Sequence, residues 1–171
     1  QYLPVVLKVL KCVCIRCSKL LIDVNQPNNF EILKNLKGKK RWSYILDRCS
    51  KIKVCGENNN DGGCGAIQPN KYVKEGLAKI YAEWKEKEQP LADDEKRQLL
   101  TAEIVLKLFK RITETDCEAL GLSTKWCKPS WLICSVLSVP PPSVRPSVKQ
   151  YNNQRSEDDI THKLIDILKT N

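Results

Sequence analysis

The sequence contains no methionine and a single histidine, and none of its apolar runs reaches the roughly 18 residues that a membrane span needs. The first ten residues also lack the long apolar region and the cleavage site of a signal peptide. We therefore expect a soluble, intracellular chain. A start on Gln1 without any methionine, and an end inside an amphipathic pattern at Asn171, predict a piece of a longer protein.

Acidic residues are scarce in two stretches. Residues 1–60 carry 12 Lys and Arg against 4 Asp and Glu, a net +8, whereas residues 61–171 carry 17 against 16. Between Glu118 and Glu157 there is no acid, but there are five cations: Lys125, Lys128, Arg145, Lys149 and Arg155. Clustered cations concentrate polyanions, and each phosphate they neutralise releases counterions. A nucleic-acid partner is one interpretation of this pattern, and a solvated basic face is the other.

Cysteine, in contrast, is abundant, with nine residues. An odd count without a secretory signal argues against a disulfide framework. Cys14-x-x-Cys17 has the spacing of a metal-ligand pair, and Cys55 and Cys64 bracket a loop of Asn, Asp and Gly that can fold both sulfurs back toward that pair. Four cysteines in two close pairs predict a closed, structural zinc site.

The other cysteines and the single histidine fit this metal site less well. Cys12 lies two residues before Cys14 and is expected to point away from it, whereas Cys49 lies on the apolar stripe of a predicted helix. Three further cysteines lack paired spacing and are interpreted as buried structural thiols: Cys117, Cys127 and Cys134. His162 is placed on a polar helix face, where no metal role is expected.

Hydrophobic periodicity and capping signals predict a mainly helical α+β fold with short strands. Helices are predicted at Leu3 to Leu10, from Asn28 or Asn29 to Leu36 with a stop at Gly38, along the Trp42 to Ile52 stripe, around Ile104 to Ile112, from a Thr113/Asp116 cap to Gly121, and after Glu157. Strands are predicted at Ala78 to Trp84 and, fully buried, at Trp131 to Val139, with exposed loops at Glu86 to Arg97 and Val148 to Ser156.

The last helix places its apolar side chains on one face: Ile160, Leu164, Ile167 and Leu168. Because a single helix with an apolar stripe is not stable alone, its partner is expected outside these 171 residues.

Three segments together resemble one family. They are Cys12 to Leu21 (CVCIRCSKLL), Gly62 to Pro69 (GGCGAIQP) and Val139 to Ser147 (VPPPSVRPS), and Gln154 to Leu164 (QRSEDDITHKL) continues the match. Their order and approximate spacing agree over essentially the whole chain. The sequence is similar to the clamp region of the largest subunit of RNA polymerase II, in a cellular or a large-virus form.

The resemblance implies three segments and two sets of site residues. Residues 1–139 form a zinc-binding clamp head, residues 140–157 a proline-rich turn and the lid loop, and residues 158–171 the first, truncated helix of the clamp coiled coil. The implied zinc ligands are Cys14, Cys17, Cys55 and Cys64. The implied nucleic-acid contacts, around a lid that helps to part RNA from template DNA, are Arg145, Lys149, Gln150, Tyr151 and Arg155.

The implied enzyme is a DNA-directed RNA polymerase, a nucleotidyltransferase. The chain lacks the Asp-x-Asp-x-Asp motif that binds the catalytic Mg²⁺, so Mg²⁺ belongs to the full enzyme and this fragment is expected to be inactive alone. The implied partners are DNA, the RNA–DNA hybrid, other polymerase subunits and initiation and elongation factors, with no membrane. The implied location is the nucleus, or a virion or viral factory for a large DNA virus.

Two rival functions remain open from the sequence. A free-standing zinc adaptor would bind an acidic protein with the same basic surface. A thiol redox protein would use Cys14 and Cys17 as reactive thiols instead of metal ligands.

Overall fold

The computed structural model describes residues 2–57, 62–76, 79–84, 96–149 and 154–170. The chain divides into two compact units, Gln1–Ile133 and Cys134–Asn171. Helices and strands both occur, in agreement with the predicted α+β class. No helix in the described ranges has the length and apolarity needed to cross a membrane.

The helices of the first unit lie close to their predicted positions. They are α1 (Leu3–Cys12), α2 (Pro27–Asn35), α3 (Gly38–Ser50), α4 (Ala102–Lys110) and α5 (Glu114–Ala119), followed by a 3₁₀ helix at Pro129–Leu132. The predicted cap of α5 is confirmed, because the Thr113 hydroxyl accepts a hydrogen bond from the Asp116 amide at 3.2 Å.

The predicted asparagine cap of α2 is wrong. The helix begins at Pro27, whose fixed φ suits the first helical position, and Asn29 lies inside it. The Asn29 side chain instead donates to the Asp23 carbonyl at 2.8 Å and accepts from the Tyr44 hydroxyl at 3.0 Å. Gly38, predicted only as a stop, is also the first residue of α3.

Three strands of the first unit form an antiparallel sheet in the order β1–β2–β3. The strands are β1 (Lys71–Glu75), β2 (Lys79–Glu83) and β3 (Arg97–Leu100). The predicted alternation of β2 is confirmed, because Ile80 and Ala82 are buried. Strand β1 was not predicted, and β3 begins at Arg97, which was predicted as loop; most of the predicted loop Glu86 to Arg97 lies outside the described residues.

Ion pairs join β1 and β3 to β2 across the strands. Lys71 and Arg97 each form an ion pair with Glu83, the residue opposite both of them in the sheet register, at 3.0 and 3.3 Å. These pairs stabilise strand pairing through cross-strand contacts that have no counterpart in a hydrophobic pattern.

The core of the first unit lies between α1, α3 and the sheet. Val9 of α1 and Ile45 of α3 are completely buried, and α1 also packs on β1 and on the 3₁₀ helix. Arg41 joins the ends of two helices to α3. Its guanidinium donates to the Ala119, Leu33 and Glu118 carbonyls at 2.8, 3.0 and 3.3 Å.

The predicted buried strand from Trp131 to Val139 is wrong. Its first residues belong to the 3₁₀ helix, the rest have no regular structure, and Val136 is 84% exposed. Apolar and β-branched composition favours a strand only where a neighbouring strand supplies backbone partners. Among the described residues, this segment has none.

The second unit contains a short hairpin and one helix. Strands β4 (Val148–Lys149) and β5 (Arg155–Ser156) pair antiparallel, so the ends of the predicted loop are strands, and α6 spans Asp159–Thr170. Helix α6 is confirmed as a helix, and Leu168 on its apolar face is 78% exposed. Within the described part of this unit no second helix pairs with α6, so the predicted coiled coil is not shown.

Candidate metal centre

A tight turn after α1 presents the first cysteine pair. Val13 and Leu20 form an antiparallel bridge, and the Cys14 amide donates to the Lys19 carbonyl at 2.8 Å. The Ser18 amide then closes the turn by donating to the Cys14 carbonyl at 2.9 Å. Ser18 has φ +65°, in the left-handed region that favours glycine. This backbone path brings the Cys14 and Cys17 side chains together.

A second hairpin presents Cys55 and Cys64. Val54 and Ile67 form its bridge, and the Cys55 amide donates to the Ala66 carbonyl at 3.0 Å. The two sides of the hairpin are so close that a Cβ added to Gly63 would lie 2.5 Å from the Cys55 carbonyl oxygen. Because glycine has no Cβ, the hairpin closes at this point and both cysteines face the first turn.

The four sulfur atoms converge. Cys14 Sγ lies 3.5 Å from Cys64 Sγ, Cys17 Sγ lies 3.6 Å from Cys55 Sγ, and all four lie within 4.8 Å of one another. A tetrahedral ion with sulfur ligands at about 2.3 Å separates those sulfurs by about 3.8 Å. The residues therefore fit a four-cysteine metal site, and this donor chemistry is consistent with zinc.

The surroundings of the thiols shift their pKa values in opposite directions. Burial raises the pKa of the Cys14 thiol, but the backbone N–H groups of Cys17 and Arg16 and the Cys64 and Cys17 thiols outweigh burial, so that this pKa falls to about 7. Burial raises the pKa of Cys17, and it raises that of Cys55 to about 12 together with the nearby Cys17 and Cys14 thiols. Of these three thiols, Cys14 therefore ionises first.

Two N–H donors from residues other than cysteine reach the Cys14 sulfur. The Arg16 amide lies 3.4 Å from Cys14 Sγ, and Gln68 Nε2 lies 3.3 Å from it. The sequence pattern places Gln68 in the segment Gly62 to Pro69 and predicts no role for it. The available signal was a polar side chain between the apolar Ile67 and Pro69, just beyond the last ligand.

Both hairpins are anchored to the rest of the first unit. Trp84 Nε1 donates to the Ile67 carbonyl at 3.1 Å, which fixes the second hairpin to the end of β2. The Leu20 amide donates to Asp116 Oδ2 at 3.3 Å, which fixes the first turn to α5. The candidate centre is therefore continuous with the core.

The remaining cysteines lie elsewhere. Cys12 and Cys49 are buried in the core beneath the first turn, where Cys12 and burial raise the pKa of Cys49, and Cys117 is also buried. The expectation of buried thiols is wrong for Cys127 and Cys134, which are exposed. Cys127 follows an exposed turn, and Cys134 belongs to the apolar segment that does not form a strand.

The predicted nucleic-acid residues lie in the second unit. Lys149 and Arg155 are exposed and directly opposite each other in the β4–β5 register. Arg145 is half-buried and donates to the Pro140 carbonyl at 2.9 Å and to the Thr161 hydroxyl at 3.2 Å. Gln150 and Tyr151 lie outside the described residues.

One comparison with known proteins covers the whole chain. The family model for RNA polymerase Rpb1, domain 1, matches residues 1–171. This match agrees with the resemblance that the cysteine, Gly-Cys-Gly and triple-proline segments indicate.

Proposed function

Since the chain belongs to the RNA polymerase Rpb1 domain 1 family, and so to the largest subunit of a multisubunit DNA-directed RNA polymerase, we propose that it forms the clamp of that enzyme. The nucleotidyltransferase activity is that of the whole polymerase. Within it, residues 1–139 are the zinc-stabilised clamp head, residues 140–157 the proline-rich turn and lid, and residues 158–171 the first helix of the clamp coiled coil. Such a chain works in the nucleus, or in the transcription machinery of a virus.

The convergence of four sulfurs supports a zinc-binding clamp head with Cys14, Cys17, Cys55 and Cys64 as ligands. A closed four-cysteine zinc cross-links the two hairpins and does not activate water. The redox alternative fits less well. Although the pKa of Cys14 is lowered, its side chain is 0% exposed, whereas reactive cysteines are partly exposed to their substrates.

The observation that carries the nucleic-acid role of the lid is the opposed pair Lys149 and Arg155. Like charges directly opposite each other in a two-stranded hairpin destabilise it unless an anion lies between or above them. A phosphate of the nucleic-acid backbone supplies that anion without selecting a sequence, as transcription of any template requires. Binding of a phosphate by this pair therefore stabilises the hairpin as well as the bound nucleic acid.

Arg145 has a mixed role in this proposal. Its Nε and Nη1 hydrogen bonds connect the proline turn to α6, and the guanidinium keeps further N–H groups for a phosphate. The exposed apolar face of α6, with Ile160, Ile167 and Leu168, is then the surface on which the second coiled-coil helix packs and beside which initiation and elongation factors bind.

A salt titration with a charge-matched control tests the lid. The double variant Lys149→Glu/Arg155→Glu should flatten the slope of log affinity against log salt by about two, because each lost phosphate contact removes about one. The control Lys107→Glu/Lys110→Glu changes the net charge equally on exposed positions of α4. Affinity for labelled duplex, RNA–DNA hybrid and single strand is measured from 50 to about 200 mM salt.

Equal slopes for the two double variants would attribute binding to overall charge and remove the lid proposal. Binding that ignores salt, or that strongly selects one sequence, would instead favour the protein-binding adaptor.

A further inference from the structure

We propose that Gln68 is a positioning residue of the metal centre, whose Nε2 group donates to the Cys14 thiolate and slows the loss of the metal. This inference rests on the proposed zinc site and assigns a role to a residue that is not a ligand. Gln68 is 6% exposed, and it follows the second hairpin, whose end its own amide closes by donating to the Lys53 carbonyl at 2.7 Å.

The amide side chain connects the two hairpins. Its Oε1 accepts from the Ile15 amide, inside the Cys14–Cys17 turn, at 3.1 Å. Its Nε2 donates to the Ala66 carbonyl at 2.8 Å and to Cys14 Sγ at 3.3 Å. One buried side chain thus holds the first turn, the second hairpin and one sulfur in a fixed relation.

The chemistry of the partners fixes which end of the amide faces the sulfur. A backbone N–H can only donate, so the atom that faces Ile15 is the oxygen. The other end then faces a carbonyl oxygen and a sulfur, which are both acceptors, so this end is the NH₂ group. Reversing the amide would place two donors together at one end and three acceptors together at the other.

A glutamine is required for this arrangement because it has both a donor and an acceptor at this length. A glutamate of the same shape keeps the acceptor for Ile15 but turns an acceptor toward Cys14. Hydrogen bonds to a ligating thiolate stabilise its charged form and fix its orientation, and loss of such outer contacts typically lowers metal affinity about 10- to 100-fold.

The test compares Gln68→Glu with Gln98→Glu in the full 171-residue chain. Gln98 is exposed on β3, so its variant carries the same change of charge away from the sulfurs. Zinc affinity and release are measured by competition with a chromophoric chelator, and the thiolate-to-metal charge-transfer band is recorded after substitution with Co²⁺. We expect Gln68→Glu to bind zinc about 10- to 100-fold more weakly, with Gln98→Glu equal to the parent chain.

The Co²⁺ band separates a bond to sulfur from a purely structural effect. Loss of a hydrogen bond raises the energy of the sulfur electrons, so the band should move to longer wavelength in Gln68→Glu. Gln68→Met, which fills similar space without charge or donor, should weaken binding and shift the band in the same direction, and it replaces Gln68→Glu if that variant does not fold.

Two outcomes test the metal site and the role of Gln68 separately. A parent chain without bound zinc would refute the metal site itself. Zinc binding by the parent chain, with unchanged affinity and an unshifted band in a folded Gln68 variant, would overturn the role of Gln68 alone.

Discussion

Replacing Ser18 by glycine should stabilise the first unit. Ser18 follows the Cys14–Cys17 turn directly, has φ +65° and is 0% exposed. Its hydroxyl has no hydrogen-bond partner among the described residues. The side chain therefore carries two separate costs, one in the backbone and one in a buried polar atom.

The magnitude follows from these two terms. A left-handed conformation costs a residue with a Cβ about 1 to 2 kcal/mol. A buried, unsatisfied hydroxyl costs about 1 to 3 kcal/mol. Glycine itself lowers the free energy of unfolding by about 0.5 to 1 kcal/mol, because it loses more backbone entropy on folding. The small cavity left by the side chain reduces the remaining gain in stability. We therefore expect Ser18→Gly to raise the free energy of unfolding by about 1 to 2 kcal/mol.

The assay is urea unfolding at fixed free zinc, because a bound ligand adds stability by mass action. Ser18→Ala is the matched control, since it removes the hydroxyl but keeps the Cβ in the left-handed region. The expected order of stability is glycine above alanine above serine. The alanine variant reports the hydroxyl term, and the difference between the two variants reports the backbone term.

The reasoning would be refuted by a glycine variant that is less stable than the parent chain. An alanine variant equal to the glycine variant would show that the left-handed conformation costs no more than the backbone entropy that glycine loses on folding.

Three further predictions concern the second hairpin and the cysteines. Gly63→Ala should loosen the second hairpin and speed zinc loss, because the new Cβ would lie 2.5 Å from the Cys55 carbonyl oxygen. Gly76→Ala is the control for a destabilising glycine substitution away from the cysteines, because its Cβ meets nothing within 4 Å but is strained at φ +60°, and chelator competition measures both. Zinc affinity should rise with pH from about 6 to 9, since the pKa of Cys55 is raised to about 12 and its proton must leave before the sulfur binds metal; a flat profile would contradict this. Iodoacetamide should modify exposed Cys127 and Cys134 in the folded, zinc-loaded chain before any other cysteine, as peptide mass spectrometry would show.

The features that could be predicted from the sequence are those set by local chemistry. The prediction of α5 was correct because Thr113 and Asp116, which form its cap, are only three residues apart in the chain. The convergence of the cysteines was predictable because two closely spaced cysteine pairs, on separate segments, are the usual arrangement around one metal ion. The glycine contact at Gly63 that brings the hairpin sides together was not predicted, because it depends on the distance between two backbone segments.

The errors occur where a distant partner decides the structure. The apolar run after Trp131 has strand composition but no described strand beside it. Strands β1 and β3 pair with β2 and form ion pairs with Glu83, which no hydrophobic periodicity encodes. Gln68 was missed for the same reason, since its partners Ile15 and Cys14 are more than 50 residues away in the chain.

The Leu20–Asp116 and Arg41–Ala119 hydrogen bonds, which span 96 and 78 residues of the chain, have a consequence for the order of folding. Synthesis proceeds from the N-terminus, so all four cysteines are made before Asp116 and Ala119. The two hairpins can thus capture a metal ion while α5 does not yet exist. Closing a loop of that length is slow and costs chain entropy, and a hairpin pair cross-linked by a bound metal ion would offer α5 a preformed surface on which to fold.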